Sequence, residues 1–351
     1  MQKISEKQQN ILLLLLEKGL LSSSAIHVES AKRGVELSLV TIKRTLSQMV
    51  KLGFLASEGA GPSTKYRVSV KGRLEADIDA HRYCAIEPDQ RYGMRHYNGE
   101  LVPGLPSDLF FDHELRTLDE ATREYRRRTT DLPQAIQKKE LERLVIELSW
   151  KSSRIEGNTY TLLDTERLIL EHKEAPGHAP EEAQMILNHK DAFAFVHANR
   201  AVFKTLTRAN LDHLHSLLVK NLGVGRGFRK RPMGVLGSIY QPLDNIHQIN
   251  DAVDDLVHAV AKMKTPYAKA LVALIGISYI QPFEDGNKRT SRLMANALLM
   301  AHGRAPLSYR SVDENEYREA MLVFYELNSL IPLKNIFIAQ YDFAARNYAV
   351  K

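Results

Sequence analysis

The sequence predicts a mainly α-helical protein with a few short strands. Apolar residues recur with the 3.6-residue period of a helix over most of the chain between residues 113 and 348. Stretches with the two-residue alternation of a strand are few and short. At 351 residues the chain is long enough to form two domains or more. A helical main domain with a small additional domain is therefore expected.

The first 75 residues are expected to begin with three helices. Ser5 is a good N-cap for a helix that carries the apolar run 11–16, and Gly19 is a typical residue to end it. A second helix is predicted at 23–33 and a third at 38–52. The apolar residues of the third helix fall on one face: Leu39, Ile42, Leu46, Met49 and Val50.

Two short strands are predicted after the third helix. They lie at 54–56 and 66–70, and a Gly-Ala-Gly-Pro turn at 59–62 separates them. Three helices followed by such a strand pair resemble the winged helix-turn-helix module of bacterial regulators. The resemblance implies a DNA-binding domain at 1–75 whose recognition helix, 38–52, enters the major groove of double-stranded DNA. The candidate DNA contacts are Thr41, Lys43, Arg44 and Gln48 on that helix, and Lys65 and Arg67 on the strand pair.

The net charge of the chain is concentrated in this module. Residues 1–75 hold twelve Lys and Arg against six Asp and Glu, a net charge of +6. The whole chain also carries +6, so the remainder is neutral overall. A basic module on a neutral remainder favours nucleic-acid binding, although use of the module for protein contact or dimerisation stays open.

Residues 76–109 are predicted to connect the two domains. Between residues 85 and 108 the chain has three prolines, three glycines and no clear period. This composition is typical of a linker packed on the surface, or of an arm folded over the following domain.

A long helix is predicted from about residue 134 to 158. Its apolar residues are Leu141, Leu144, Val145, Leu148 and Trp150. The Gly157-Asn158 pair is a helix stop signal. Ser152 and Glu156 are four residues apart, so they share a face of the helix.

Residues 225–242 are predicted to form a short β-hairpin. They combine several glycines with alternating apolar residues. Pro242 ends the second strand because proline donates no backbone hydrogen bond.

The segment 281–292 reads Gln-Pro-Phe-Glu-Asp-Gly-Asn-Lys-Arg-Thr-Ser-Arg. Apolar residues with a helical period precede and follow it, so it is predicted to be a tight loop that runs into a helix. Asp285, Gly286 and Asn287 lie at the start of that helix. Unpaired backbone N–H groups and the positive end of the helix dipole attract phosphate there.

Charged side chains surround this helix start. Lys288, Arg289 and Arg292 place positive charge on its first turns. Arg289 and Arg292 are three residues apart, so both project from one face toward the same ligand. Asp285 is the acid well placed to hold a divalent metal beside a bound phosphate.

These segments resemble the Fic family, whose members transfer part of a nucleotide, usually AMP from ATP, onto a hydroxyl side chain of a target protein. The resemblance implies an all-helical Fic fold with a β-hairpin flap over residues 110–351. It also implies ATP and Mg²⁺ as cofactors and a protein Ser, Thr or Tyr hydroxyl as the target. The implied catalytic positions are Gln281, Asp285, Asn287, Arg289 and Arg292, with Asp285 as the metal ligand. The implied nucleotide contacts are Gly286, Asn287, Lys288, Arg289, Arg292 and Tyr240.

Two positions depart from the family pattern. Gln281 stands where the family has the histidine that acts as general base, and a neutral amide takes up no proton near pH 7. Loss of a positioned base costs ~10²–10⁴ in rate, so AMP transfer is expected to be weakened or lost while nucleotide binding remains. An engineered replacement and a natural loss both stay open. Lys288 is also the form found in Doc-type relatives, which transfer the terminal phosphate, so the transferred group stays open too.

The two upstream segments gain roles from the same resemblance. Ser152 and Glu156 match an inhibitory helix whose glutamate pairs with the second arginine of the motif, here Arg292. A carboxylate on that guanidinium would keep the γ-phosphate of ATP out of place. The 225–242 hairpin matches the flap that docks main chain of the target by strand addition.

Composition favours a cytoplasmic protein. Cys84 is the single cysteine, which excludes an internal disulfide and fits a reducing compartment. The longest apolar runs have six residues, well short of the ~20 needed to span a bilayer, so no membrane partner is expected. No leader peptide is expected either. The thirteen histidines match no zinc-site spacing, and a homodimer stays open.

Three functions are compatible with these patterns. The leading one is a nucleotide-binding Fic protein with weakened AMP transfer, coupled to a DNA-binding module. The second is an active protein adenylyltransferase in its histidine form. The third is a transcriptional regulator that uses the Fic domain as a sensor of a nucleotide or a partner.

Overall fold

Helices form most of the structure, a computed structural model that describes residues 4–350. Contacts divide the chain into two units. The first unit comprises the chain up to Pro106 together with Gly234–Gln241 and Glu319–Asn335. The second comprises Ser107–Met233, Pro242–Arg318 and the chain from Ile336 onward. No helix among the described residues is both long and apolar enough to cross a membrane.

The first unit begins with three helices and a small sheet. Its elements in chain order are α1 (Glu6–Lys18), β1 (Leu21–Ser22), α2 (Ser23–Lys32), α3 (Leu39–Lys51), β2 (Leu55–Glu58), β3 (Lys65–Val68), α4 (Val70–Glu75) and α5 (Ala80–Cys84). The sheet is antiparallel with strand order β1-β3-β2. The three helices lie where the sequence predicts them, and Ser38 caps α3 by accepting a hydrogen bond from Thr41 N at 3.2 Å. The two-residue β1 was not predicted, because so short a strand has no alternation to detect.

Apolar faces of these helices meet the sheet in one core. The residues predicted for the buried face of α3 behave as expected, since Ile42, Leu46 and Met49 are fully buried. Leu39 and Val50 are partly buried. The other main contributors are Ile11, Leu12, Leu15, Ile26, Phe54, Leu55 and Val68.

The segment predicted as a linker or arm packs within the first unit as far as Pro106. Tyr83 is buried, and its hydroxyl donates a 2.7 Å hydrogen bond to Glu326 Oε2. Other buried apolar residues of the segment are Ile78, Leu101, Val102 and Leu105. A proline- and glycine-rich composition therefore describes irregular chain here, and it does not by itself indicate exposure.

The second unit is helical throughout its regular elements. These are α6 (Asp112–Thr129), α7 (Gln134–Ile155), α8 (Leu162–Glu171), α9 (Pro180–Ala198), α10 (Arg208–Leu218), α11 (Ile246–Lys262), α12 (Pro266–Ile280) and α13 (Asn287–Ala301). The chain continues into α14 (Glu314–Leu327) and α15 (Ile331–Asn347), and the division between the units passes through both. α12 and α13 pack against each other and are buried along almost their whole length. They form the centre on which the candidate site is built.

The β-hairpin predicted at 225–242 is absent. The segment has turns and irregular backbone, and its single bridge joins Gln241 to His96. Its backbone donors bond elsewhere: Arg229 N donates to Pro282 O at 2.9 Å, and Ile239 N donates to Glu326 Oε1 at 3.2 Å. Because these groups are already satisfied, the glycines and alternating apolar residues do not produce a ladder.

Candidate functional site: a phosphate-binding helix start

The loop between α12 and α13 is shaped by two left-handed residues. Gln281 ends α12 with φ 51°, and Gly286 begins α13 with φ 77°. A side chain at Gly286 would be strained by this φ, and its Cβ would lie 3.0 Å from Val219 Cγ1. Glycine therefore permits the tight turn into α13, whose first N–H groups have no partner within the helix.

Asn287 closes this loop through its side chain. Its Oδ1 accepts from Phe283 N at 2.9 Å, and its Nδ2 donates to Phe283 O at 2.8 Å. Both ends of the amide are therefore used, and the residue is 3% exposed. The side chain of Asn287 therefore shapes the loop, and its expected contact with a nucleotide stays a prediction.

His215, on α10, packs against the same loop. Its ring stacks on Phe283 with centroids 3.6 Å apart, and its Nε2 lies 2.9 Å from Asp285 O. Burial lowers the pKa of His215, so the neutral ring donates from Nε2 to that carbonyl. No sequence pattern pointed to His215, since its partners are distant along the chain.

Gln281 lies at the position of the expected base, with its side chain turned away from solvent. Gln281 is 3% exposed, and its Nε2 donates a 2.7 Å hydrogen bond to Ser278 O. Its own carbonyl accepts from Arg229 Nε at 2.7 Å. The amide is thus fixed on the end of α12, where it stabilises the helix terminus and offers no basic group.

Arg289 and Arg292 project from α13 into buried surroundings. Arg289 is 2% exposed, and its Nη2 lies 3.0 Å from Asp285 Oδ2. Burial lowers the pKa of Arg289, and Asp285 and Glu156 offset part of that effect. The nearby carboxylates therefore help to keep a desolvated guanidinium charged.

Arg292 is fully buried and held by the end of α7. Its Nε donates to Ser152 Oγ at 3.0 Å and its Nη2 donates to Ser152 O at 2.8 Å. Its Nη2 also lies 2.8 Å from Glu156 Oε1, in an ion pair without hydrogen-bond alignment. Its Nη1 has no hydrogen-bond partner among the described residues. The arginine therefore keeps a donor group that these contacts do not use.

Glu156 carries a second positive neighbour. Its Oε2 lies 3.8 Å from Lys288 Nζ. Burial alone would raise the pKa of Glu156, but Arg292, Lys288 and Arg289 outweigh burial and hold it below its usual range. Glu156 is therefore ionised at neutral pH, and Lys288, predicted only as a nucleotide contact, shares that carboxylate.

The donor set fits a metal that arrives with a nucleotide. Among the described residues no cluster of three or more His, Cys, Asp or Glu could hold a metal ion. The Asp285 carboxylate is 64% exposed, and among residues 4–350 its bonding partner is Arg289. One accessible carboxylate suits Mg²⁺, which is commonly held by one or two carboxylates together with substrate phosphates.

Tyr240 belongs to the first unit, whereas the loop and α13 belong to the second. Tyr240 is 1% exposed, and its ring stacks on Tyr325 with centroids 5.7 Å apart. Its expected contact with a nucleotide stays a prediction.

The candidate DNA contacts lie on the exposed side of α3 and on β3. Lys43, Arg44 and Gln48 are exposed, and Thr41 is partly exposed. Lys65 and Arg67 are exposed as well, but Arg67 Nε donates a 2.9 Å hydrogen bond to Glu58 Oε1. Arg67 is therefore partly neutralised by its neighbour on β2, which weakens its expected role at a phosphate.

Val40 is a further exposed residue of this surface that sequence analysis did not select. It is 77% exposed beside Thr41 at the start of α3. An apolar residue on the exposed side departs from the 3.6-residue pattern of an amphipathic helix, and this departure could have identified Val40 from the sequence.

Comparison with known proteins places the loop and α13 in a recognised domain. Residues 205–299 match the family model described as the Fic/DOC family. This chain contains a Fic domain. The protein adenylyltransferase Fic of Nematostella vectensis is 29% identical over 174 residues, which are 48% of this chain and 41% of that protein. The protein of the same name from Culex quinquefasciatus is 30% identical over 184 residues, which are 50% of this chain and 36% of that protein. The matches thus span well under two thirds of these relatives.

Solved structures agree with the helical Fic fold. Fic-1 (aa134–508) from C. elegans has a TM-score of 0.58 at 17% identity, covering 67% of this chain and 72% of that chain. A Fic domain containing signaling protein from Bacteroides thetaiotaomicron has a TM-score of 0.56 at 18% identity, covering 65% of this chain and 94% of that chain. At these identities the likeness establishes the fold alone.

Proposed function

We propose that this protein binds ATP with Mg²⁺ at the start of α13, and that its transfer of AMP to protein hydroxyls is weakened or lost. The observation that carries the proposal is the pair of buried arginines, Arg289 and Arg292, on the first turns of α13 beside its N-terminus. Two desolvated guanidinium groups on one face match the charge and geometry of a polyphosphate.

Each end of the nucleotide phosphates has an expected partner. The first-turn N–H groups and Arg289 would hold the inner phosphates, and Asp285 would hold a Mg²⁺ that accompanies the nucleotide. Mg²⁺ supplies neutralisation of phosphate charge when bound. Arg292 would hold the γ-phosphate, but Glu156 and Ser152 occupy it in this structure. This competition supports an inhibited resting state.

The chemistry is limited by Gln281. A target hydroxyl must lose its proton as it attacks phosphorus. The side-chain amide of Gln281, which donates a hydrogen bond to Ser278 O, takes up no proton near pH 7. His215 and His189 do not replace it, since both are fully buried and burial lowers the pKa of each. The site therefore favours binding over transfer.

The decisive experiment uses Glu156→Gly, which removes the inhibiting carboxylate, as the parent chain and compares it with the same chain carrying Gln281→His or Gln281→Ala, each incubated with ATP and Mg²⁺. Intact-protein mass spectrometry then measures automodification and identifies AMP or phosphate as the added group. We expect about 10²–10⁴-fold faster modification for Gln281→His than for the other two chains. Equal, rapid modification of all three would favour an active adenylyltransferase with another base. ATP binding without modification of any of them would favour a nucleotide sensor.

A second candidate function, DNA binding by the first unit, rests on a separate observation. The exposed side of α3 presents Lys43, Arg44 and Gln48, and the excess positive charge of the chain lies in residues 1–75. The order of elements suits a winged helix-turn-helix with α3 in the major groove. Val40 would contact a thymine methyl group beside a guanine read by Arg44.

Binding measured over a series of salt concentrations tests whether this module is attracted to DNA phosphates, and arginine and lysine variants distinguish that attraction from recognition of base edges. Fluorescence anisotropy of the full chain with duplex DNA should show affinity that falls steeply with salt. Arg44→Ala should cost about 1–3 kcal/mol and relax sequence preference, whereas Lys65→Ala should weaken all sequences about equally. Absence of binding at low salt would instead point to a protein partner or to dimerisation through this unit. Location in the cytoplasm and a homodimer stay predictions.

A further inference from the structure

The second unit has a basic cavity at the opposite end of α13 from the candidate nucleotide site. Its volume is about 220 Å³. Its lining comes from α6, the end of α9 and the turn after it, the end of α13 and the residues after it, and the chain after α15. It includes Arg126, Arg200 and Arg304. α13 has 15 residues, so roughly 20 Å of helix separates the cavity from the start of α13.

Among the described residues that line it, the cavity has three guanidinium groups and no carboxylate. Arg126 and Arg200 form no hydrogen bond or ion pair through their side chains with any residue between 4 and 350. By contrast, the adjacent Arg123 and Arg127 are each paired with a glutamate one turn away. Two neighbouring guanidinium groups without a counter-charge are unusual where so many other surface arginines are paired, and an anion would satisfy both.

Arg304 adds a buried donor to the same place. Its Nη1 donates to His302 O at 3.1 Å, but its Nε is buried without a hydrogen-bond partner in the described part of the chain. A buried unsatisfied donor costs about 1–3 kcal/mol, so a bound acceptor at this position would be stabilising. Its guanidinium also lies over the Tyr267 ring, 5.3 Å from the centroid, which fixes its orientation.

The remaining wall of the cavity is largely apolar. Tyr125, Met300 and Val350 are each less than a tenth exposed. The hydroxyls of Tyr125 and Thr129 already donate to backbone carbonyls, those of Val350 and of Tyr125 and Arg126. The cavity thus combines a triply charged rim for an oxyanion with a surface for a small organic group.

We propose that this cavity binds a small phosphate monoester. Three guanidinium groups match the charge of a phosphate dianion and the fork-like spacing of its oxygens. The apolar wall is large enough for an organic substituent of a few atoms within the 220 Å³ available. This site is independent of ATP binding at the start of α13, with which it shares no lining residue.

Titration calorimetry of the full chain with phenyl phosphate tests the proposal, with benzoate as the carboxylate of matched size. Phenyl phosphate should bind saturably and more tightly than benzoate. Arg126→Ala and Arg200→Ala should each weaken it about tenfold, the effect of one charge-assisted hydrogen bond. Arg200→Lys should retain part of the affinity for phenyl phosphate, because the positive charge remains. The rest should be lost, because an ammonium group cannot form the paired hydrogen bonds of a guanidinium. Arg123→Ala, on the same helix but paired with Glu120, is the matched control and should bind normally.

Three results would overturn the proposal. One is no saturable binding of phenyl phosphate. Another is binding of benzoate as tight as that of phenyl phosphate. The third is binding that survives Arg126→Ala with Arg200→Ala but is lost in Arg289→Lys, since the phosphate would then occupy the start of α13. The side chains of Arg126 and Arg200 bond to no residue in the described range 4–350, so their replacement should leave the fold intact, and circular dichroism checks this.

Discussion

At the scale of single residues, the candidate site is defined by which polar groups are already engaged. The side chains of Gln281 and Asn287 bond to backbone of their own loop. Arg292 bonds to the end of α7, whereas Arg289 bonds to the exposed carboxylate of Asp285. Arg289 is therefore the buried cation that a phosphate can reach with the smallest rearrangement.

Arg289→Ala should weaken binding of ATP with Mg²⁺ by about 1.5–3 kcal/mol, because a charge-assisted hydrogen bond is lost. Calorimetry on the parent and the variant measures this difference directly. Arg127→Ala, which removes an exposed arginine of α6, is the control and should leave the affinity unchanged. Equal affinity in the parent and Arg289→Ala would remove Arg289 from the nucleotide site.

Glu156→Gly should have opposite effects on stability and on ATP binding. Removal of the carboxylate leaves the buried Arg292 bonded to Ser152 without the opposite charge of Glu156, so the ligand-free protein should melt at a lower temperature. The same change frees the guanidinium for the γ-phosphate, and ATP should bind about tenfold more tightly or better. Glu156→Gln keeps the size without the charge and should lie between the two. Unchanged ATP affinity would show that Glu156 only ends a helix.

Much of this site could be predicted from sequence because its parts are local. Asp285, Arg289 and Arg292 lie on one short segment, where helical spacing alone places them together. The contacts of His215 with Phe283 and of Lys288 with Glu156 join residues far apart in sequence. No periodicity reports such contacts, since they depend on how helices pack.

At the scale of elements, helices were predictable and the hairpin was not. α1, α2 and α3 begin at serine N-caps, and their bounds lie within one or two residues of those expected. A helix satisfies its own backbone, so capping residues and a period of 3.6 are sufficient signals. A strand needs a partner chosen by tertiary structure. In the 225–242 segment, Pro282 O and Glu326 took those hydrogen bonds instead.

α4 supplies a test of close packing between elements of the first unit. A Cβ at Gly72 would lie 2.1 Å from Phe54 O, a backbone atom that cannot turn aside. Gly72→Ala should therefore destabilise this unit by about 1–3 kcal/mol, despite the helix propensity of alanine. Hydrogen exchange of the full chain should show lost protection in α3, β2 and β3. Gly99→Ala, with no atom within 4 Å of the added Cβ, is the control. Unchanged protection in Gly72→Ala would mean that α4 shifts at no cost.

At the scale of the whole molecule, excess positive charge and buried ionisable groups are concentrated in different parts of the chain. The excess positive charge lies in residues 1–75, a property that composition alone reveals. The second unit instead buries ionisable groups around α13, including Arg289, Arg292 and His189. Burial follows from packing, so composition indicated only that the thirteen histidines were scattered. The stability of this unit should consequently depend on pH.

His189 should make the second unit less stable in acid. It is fully buried on α9, and burial, with smaller contributions from Arg292 and Arg289, lowers its pKa from 6.5 to about 3. Between these values the unfolded chain binds a proton that the folded chain does not, so the free energy of unfolding falls as pH falls. The free energy of unfolding should fall by about 2 kcal/mol between pH 6.5 and 5, because each pH unit in this range corresponds to about 1.36 kcal/mol. Burial lowers the pKa of His215 as well, which adds a loss of the same sign.

Trp150 makes this prediction measurable in the full chain. It is the single tryptophan and lies on α7 of the second unit, where its Nε1 donates to Tyr160 O at 3.1 Å. Its fluorescence therefore reports unfolding of the unit that contains His189. Urea titrations from pH 7 to 5 should show a free energy of unfolding that declines with falling pH in the parent. In His189→Gln the decline per pH unit should be smaller, by the amount that uptake of nearly one proton on unfolding contributes. His247→Gln, at an exposed position of α11, controls for the loss of a histidine. Identical slopes in the parent and His189→Gln would assign the acid sensitivity to another group, with His215→Gln as the next variant to measure.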